Sequence, residues 1–408
     1  MQTHSHSSLA TLEYAEDILL WGGRKVTDIA MQAGQTPFYA YDRDRMTTRV
    51  AALRQAMPSD LHIHYAMKAN PMPEVVAHLA GLVDGLDVAS AGELRVALAT
   101  GIDPQTVSFA GPGKRDAELE YAIDEGITIN IESENEMRRS AKIGAATGNR
   151  PRVAVRVNPA FELKSSGMKM GGRPSQFGVD AERVPAMLGE LRSLDLDFRG
   201  FHIFSGSQNL RAEAIVESMT KTTDLVLELA ARADIDVALV NLGGGLGIPY
   251  FPNEQALDLT DIGEAASHAT ERLRSALGNP EVVMELGRFL VGEAGIYVFR
   301  VLDIKESRGT RFAICDGGLH HHLAASGNFG QVLRKNYPVA NVERRSGSAE
   351  QVTVVGPLCT PLDLLGDRSV LHPVAIGSLL AILQSGAYGP TASPSAFLSH
   401  GPCPELLL

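Results

Sequence analysis

"LHIHYAMKANP", residues 61–71, decides how the chain is read. Leu61, Ile63 and Tyr65 alternate as the apolar positions of a buried strand. The strand runs out at Lys68, with Asn70 and Pro71 behind it, and "PEVVAHLAGL" (73–82) then reads as a helix. This is one βα unit. A lysine at the end of a buried strand has two readings. It is a cap that snorkels to water, or it is an amine kept in a pocket to form an imine.

The unit recurs. Further strands are read at "GLDVAS" (85–90), "TVSFA" (106–110), "ITINI" (127–131), "RVAVRV" (152–157), "GFHIF" (200–204), "ALVNL" (238–242) and "EVVMEL" (281–286), with helical stretches between them. Such alternation predicts a parallel α/β sheet, most simply a closed (β/α)8 TIM barrel. The competing open, doubly wound sheet commonly carries GxGxxG after its first strand, and that fingerprint is absent here. After residue 290 the pattern changes. "IYVFRVLDIKES", "RFAICD", "QVTVVGP" and "VAIGSLLAILQSGAYG" read as strands without long helices. The sequence therefore predicts a barrel over 37–290, entered at "TPFYAYD" (36–42), and a mainly β domain from 1–36 and 291–408.

Composition narrows the function. Of 408 residues, 44% are hydrophobic and 21% charged, as in ordinary globular proteins. The net charge is −11, with no long run of Lys and Arg, which argues against a nucleic-acid partner. Arg344 and Arg345 read as a solvated loop. No apolar run reaches the ~18–20 residues of a membrane span, and the amino-terminal stretch lacks a signal-peptide layout. The reading is cytoplasmic. The three cysteines (Cys315, Cys359, Cys403) do not form a disulfide pattern. No metal-ligand spacing is present, and "HHH" at 320–322 reads as packing because adjacent side chains point in different directions.

Polar residues gather at the carboxyl ends of the strands, where barrel enzymes build their sites. Lys68 follows the first strand, Asp87 and Ser90 end the second, and Glu132 the fourth. Arg156 and Asn158 end the fifth, and His202 lies in the sixth. "NLGGGLGIPY" puts Gly243, Gly244 and Gly245 after the seventh, and "MELGR" puts Glu285, Gly287 and Arg288 at the eighth. A glycine-rich turn admits an anion close to backbone N–H groups, although a tight βα turn has the same look. An arginine nearby would help hold a phosphate. Glu285 and Arg288 could simply pair with each other. Used separately, a carboxylate keeps a pyridine nitrogen protonated. With an imine-forming lysine, the cofactor that needs all three is pyridoxal 5'-phosphate. His202 is a core histidine or a partner for a cofactor ring. Cys359 in "GPLCTPLD" is a buried inert thiol or an acid–base candidate on a loop.

Taken in order, "YAMKANP", "GLDVASAGEL", "NLGGGLGIPY", "MELGR", "GPLCTPLD" and "GAYG" resemble the fold-type III pyridoxal-phosphate decarboxylases, the diaminopimelate and ornithine decarboxylase family. The resemblance runs from about Thr36 to the carboxyl terminus. It implies the barrel plus β domain of the alanine racemase/decarboxylase type. By it, Lys68 is the Schiff-base lysine, His202 stacks on the ring and Glu285 pairs with the pyridine nitrogen. Gly243 to Gly245, Ser207, Gly287, Arg288 and Tyr388 bind the phosphate side, with Asp87 and Arg156 near the lysine and the ring hydroxyl. Cys359 would reprotonate the product from the second subunit of a homodimer with shared sites. Arg288, Asp316, Cys359, Thr360 and Tyr388 would meet the substrate.

Departures from the family pattern concern the substrate. Thr360 stands where diaminopimelate decarboxylases usually carry an acid that holds the distal amine. "DGGLHHHLAASGNFGQVLRKNYP" (316–338) lacks their Arg-Pro…Tyr stretch. "SAFLSH" (395–400) lacks the usual Tyr-Asn pair, and the stretch between His202 and Gly206 is longer than the usual His-x-Gly-Ser. The whole is most similar to the exosortase-associated and carrier-protein-linked amino-acid decarboxylases. The expected activity is removal of the α-carboxylate from an extended or carrier-tethered amino acid. The alternatives are a meso-diaminopimelate decarboxylase, an amino-acid racemase and a non-catalytic pyridoxal-phosphate-binding protein. A racemase would prefer an arginine where Glu285 stands, and a mere binding protein would lack the β domain and Cys359.

Overall fold

The computed structural model describes residues 6–161, 168–169 (backbone), 174–344 and 346–408. The chain divides into two compact units. One spans Thr48–Ile248 and Ala256–Phe289; the other takes the chain before Thr48 together with Pro249–Gln255 and Leu290–Leu408.

The first unit is the barrel. Its strands are β1 (Leu61–Ala66), β2 (Gly85–Val88), β3 (Val107–Phe109), β4 (Thr128–Ile131), β5 (Arg152–Asn158), β6 (Asp197–Ile203), β7 (Leu239–Gly244) and β8 (Glu281–Leu286). Each pairs in parallel with the next, and β8 pairs with β1, which closes the sheet. Both faces of these strands are covered, so they read as near-continuous apolar runs. Leu86, Val107, Ile129, Val153, Val155, Phe201, Val240 and Val282 are at most 1% exposed.

The helices start and stop on local signals. Ser90 accepts from Glu93 N and Ser133 from Glu136 N, each satisfying an orphan N–H at a helix start. Gly148 and Gly278 end the helices Glu134–Thr147 and Thr260–Leu277 in the left-handed conformation. The helix Thr260–Leu277 packs close to the end of the helix Arg43–Ala56. A Cβ on Gly263 would collide with the Ala56 carbonyl.

The second unit is mainly β. The long strand β9 (Gly295–Ser307) is its spine. It pairs antiparallel with β10 (Thr310–Cys315), and, over its first half, with Phe38–Tyr41 and Leu379–Ile382. Phe38–Tyr41 also pairs with Glu405–Leu407. An apolar cluster of Leu19, Trp21, Ile29, Phe38, Ile296, Val298 and Leu383 lies under the sheet.

These pairings correct the expected entry to the barrel at residue 37. "FYAY" belongs to the second sheet, and the barrel unit begins within the helix Arg43–Ala56. All four residues of Phe38–Tyr41 are buried, so their apolar run did not distinguish one sheet from the other. The short stretch Pro249–Gln255 also leaves the barrel unit: Tyr250 packs its ring 4.7 Å from that of Tyr337. Of the Arg344–Arg345 pair, Arg344 lies 3.7 Å over the Tyr14 ring, and Arg345 lies outside the described residues.

Strand packing in the barrel makes one stability prediction. A Cβ at Gly200 in β6 would run into the Leu239 carbonyl at the start of β7. Gly200→Ala should lower stability by about 1–3 kcal/mol, read as a lower denaturant midpoint at unchanged m-value; an unchanged midpoint would show that β6 and β7 can separate freely.

Candidate active site

Side chains from three neighbouring strands meet inside the carboxyl end of the barrel. The pairing registers Arg156 with His202 and His202 with Asn241. His202 Nε2 lies 3.2 Å from Glu285 Oε1, and Asn241 Nδ2 donates to Glu285 Oε2 at 3.3 Å. All three are buried. Burial pushes the Glu285 carboxyl up, but the attraction of His202, Lys68 and Arg156 outweighs it and holds the group well below the usual carboxylate range. Glu285 is therefore a buried anion. His202 Nδ1 is buried with no partner among the described residues.

Asn241 also shapes the glycine turn. Its Oδ1 accepts from Gly243 N at 2.8 Å. Gly243 and Gly245 take positive φ values of 71° and 95°, which favour glycine. A Cβ on Gly244 would collide with the Glu285 carbonyl, and one on Gly245 with the Gly206 carbonyl. The turns after β6 and β7 are thus brought together, with Ser207 in the first. Asn209 N donates to Gly245 O at 2.9 Å, and Gln208 Nε2 donates to Ile248 O at 2.6 Å.

Lys68 sits in the short turn Met67–Ala69 after β1 and is exposed. Its Nζ lies 5.7 Å from the centre of the Phe204 ring. Asp87 ends the next strand, in register with Ala66. Its Oδ1 accepts from Ser108 Oγ at 2.5 Å, and its Oδ2 is buried without a partner among the described residues. Arg156 donates to Glu132 Oε1 at 2.8 Å. Glu132 also accepts from Gly111 N and Gly178 N, so it ties the turns after β3 and β5 to its own. Gly287 and Arg288 follow β8, and Arg288 begins a one-turn helix.

Sequence reading thus named most of this cluster. It missed Asn241, whose only signal was an amide in an otherwise apolar strand end, and Gln208, which nothing in the sequence marked.

The remaining candidates belong to the other unit. Cys359 is a free, exposed thiol, and Thr360 follows it. Tyr388 has a φ of 53°, with its ring 6.4 Å from that of Phe329. Both oxygens of Asp316 are occupied, by Thr36 Oγ1 at 2.5 Å and Arg300 N at 2.8 Å. Asp363 joins two loops that departed from the family pattern. It accepts from Leu319 N at 2.6 Å and Leu358 N at 2.9 Å. In the first of those loops the His320 ring lies between those of His321 and His400, at 3.9 and 4.4 Å and tilted by 43° and 42°. Burial and the two neighbouring histidines push His320 down to about 3.

A profile of the pyridoxal-dependent decarboxylase family, its pyridoxal-binding domain, matches residues 43–292. The chain is 39% identical to the L-glutamyl-[BtrI acyl-carrier protein] decarboxylase of Niallia circulans over 384 residues, 91% of this chain and 89% of that one. The chain belongs to the pyridoxal-dependent decarboxylases. It is also 32% identical to a diaminopimelate decarboxylase of Aquifex aeolicus, over 93% of this chain and 88% of that one. The crystal structure of the M. jannaschi diaminopimelate decarboxylase superposes with a TM-score of 0.89 at 26% identity, covering 98% of this chain and 92% of that one.

The barrel end fits the family's cofactor, pyridoxal phosphate. It offers a buried carboxylate that stays ionised, an exposed amine at a strand end and, after β7, a glycine turn packed on the turn after β6. Two buried polar atoms, His202 Nδ1 and Asp87 Oδ2, still lack partners among the described residues. Among those residues no helix is long and apolar enough to cross a membrane.

The buried anion has a pH signature. Glu285 titrates lower in the folded chain than unfolded. Its contribution is thus complete above the unfolded carboxylate value, ~4.3, and is lost as pH falls toward the folded value. Glu285→Gln should therefore flatten the acid side of the stability–pH curve of the unloaded protein; parallel curves for the two proteins would show that the carboxyl is already neutral in the fold.

Proposed function

We propose that this decarboxylase removes the α-carboxylate of an amino acid presented on an acyl carrier or otherwise extended, with glutamyl as the leading acyl group. The observation that carries this is the pairing of a retained anionic site at Glu285 with altered segments at Thr360 and His320–His322. The 39% identity to a carrier-linked glutamyl decarboxylase supports the same reading. The diaminopimelate decarboxylases at 32% identity make free meso-diaminopimelate the second reading.

When bound, pyridoxal phosphate supplies the electron sink that lets the α-carboxylate leave as carbon dioxide. Lys68 Nζ is the group that would hold it. Glu285 stays anionic and would keep the ring nitrogen protonated, while Asn241 and His202 fix the orientation of that carboxylate. Gly243, Gly244, Gly245, Ser207, Gly287, Arg288 and Tyr388 would surround the phosphate. Asp87 and Arg156 would serve the lysine side. Cys359 Sγ would return a proton to the α-carbon after carbon dioxide departs. These roles make the protein's share of catalysis orientation and fixed charge. Arg288, Thr360 and Tyr388 would meet the substrate. The chain would work in the cytoplasm as a homodimer with Cys359 serving its neighbour's barrel.

Substrate choice is tested by comparing carbon dioxide release from glutamyl on a phosphopantetheine arm, free glutamate, ornithine and free meso-diaminopimelate. A site that pairs a distal charge rejects substrates lacking that charge by ~10⁴, because its own buried polar groups then go unpaired; without such a clamp the preference for free diaminopimelate should be lost. The tethered substrate should lead. Efficient turnover of free meso-diaminopimelate would replace this reading with the second.

Sharing of the site is tested by mixing two inactive variants, Lys68→Ala and Cys359→Ala. In a hybrid dimer one site would have both residues, so activity should return to about a quarter of wild type or less, given random pairing and stoichiometric subunits. Hybrids that form yet stay inactive would place Cys359 with its own subunit's Lys68 or outside the reaction.

A further inference from the structure

Barrels of this kind fill their interior with branched apolar side chains. Under the turn that carries Lys68 this one is polar instead. His64 Nδ1 lies 3.3 Å from Asp87 Oδ1, Ser108 Oγ donates to the same oxygen at 2.5 Å, and Asn130 Nδ2 donates to Ser108 Oγ at 3.2 Å. The four residues come from β1, β2, β3 and β4, and each is at least nine-tenths buried. Gly85 makes the room. A Cβ there would run into the His64 ring and the Thr106 carbonyl.

Oδ1 of Asp87 takes both contacts, and Oδ2 is left without a partner among the described residues. On the far side of the imidazole, Nε2 makes no hydrogen bond among the described residues. It borders a small cavity of about 20 Å³ at the amino end of the barrel, also lined by Thr128, Arg152, Arg199 and Glu281. That is room for one water.

We propose that His64 is a positioning residue for Asp87: the imidazole, set from the barrel floor, clamps Oδ1 and leaves Oδ2 as the free oxygen beside the Lys68 turn. What Asp87 then serves rests on the cofactor reading above; the clamp itself does not. A buried carboxylate with no countercharge is strongly disfavoured, so the clamp works best with the ring charged. The groups facing that ring are Asp87 from β2, Glu281 and Glu285 from β8, His62 on its own strand, and Arg152 and Arg199 at the cavity. Glu281 is the nearest below, 4.0 Å from Nε2, and is shared with His62 at 3.0 Å. Burial opposes the charged ring, but Asp87, Glu281 and Glu285 outweigh it and lift His64 above its ordinary value.

The test begins on the unloaded protein. Ring NMR should show His64 titrating above the ordinary histidine range, and Asp87→Asn should lower that midpoint. Pyridoxal phosphate affinity and the pH midpoint of its visible absorbance are then measured in His64→Phe and His64→Asn. Phe keeps a ring and loses the clamp; Asn places an amide N–H near the position of Nδ1. His64→Phe should weaken the cofactor about tenfold or more, as loss of a supporting partner does at metal sites, and shift the absorbance midpoint, while His64→Asn restores most of both. A His64 midpoint unmoved by Asp87→Asn overturns the clamp. So does a folded His64→Phe protein with wild-type affinity and midpoint. Failure of the wild-type chain to bind pyridoxal phosphate would sink the cofactor reading alone, because the ring titration still judges the clamp.

Discussion

A buried carboxylate at Glu285 sets the terms for the carboxyl end of the barrel. An ion taken out of water costs several kcal/mol unless it is met by charge and hydrogen bonds. Here His202 and Asn241 meet it, with Lys68 and Arg156 adding attraction from further away. Meeting it fixes more than two side chains. β6 and β7 must hold the register that sets His202 opposite Asn241. The ladder between β7 and β8 then shifts between Asn241 and Gly244, so that Gly244 comes opposite Glu285. Because Asn241 also takes the Gly243 N–H, the glycine turn grows out of the same arrangement. A buried anion and a glycine turn are thus built from one set of contacts.

Glu132 does the corresponding work on the other side of the barrel. It gathers the turns after β3, β4 and β5 through Gly111, its own backbone and Gly178, and it holds Arg156. Behind it stands a buried ion pair. Lys114 Nζ donates to Glu136 and to the carbonyls of Gly111 and Asn130, and Glu136 accepts from Glu132 N. Burial lowers Lys114 below its ordinary value despite that partner. Such pairs add little net stability, and removing one member leaves the other stranded. Their use here is geometric. Arg156 is the register partner of His202, so the clusters around the two carboxylates meet at adjacent strands.

Much of this was legible in the sequence, for physical reasons that also mark its limits. Parallel strands covered on both faces give short apolar runs, so all eight barrel strands stood out. Lys68, His202 and Glu285 stood out because each puts an ionisable group where such a run ends or breaks. The start of the barrel did not. Phe38–Tyr41 is apolar and buried throughout, and hydrophobicity carries no record of which sheet a strand joins. Asn241 and His64 were passed over for another reason. Their weight comes from neighbours across the sheet, Glu285 and Asp87, which lie 44 and 23 residues away along the chain. Pairing across strands makes them matter, and a single sequence does not print its register.

One carboxylate also organises loops in the second unit. Asp363 holds the backbone of two loops through Leu319 and Leu358. Those bonds go to main-chain N–H groups, so they constrain loop position. His320 and His321 follow the first anchor; Cys359 and Thr360 follow the second. Loop position is thus set by one carboxylate, but the two loops differ: His320 is fully buried and His321 Nε2 lies 2.8 Å from Gly401 O, whereas Cys359 is exposed. At Glu285, Asn241 and Gly244 in the barrel, side chain, register and turn depend on one another. Physical constraint is therefore weaker in the loop at Cys359 than in the strands around Glu285, where burial and register act together.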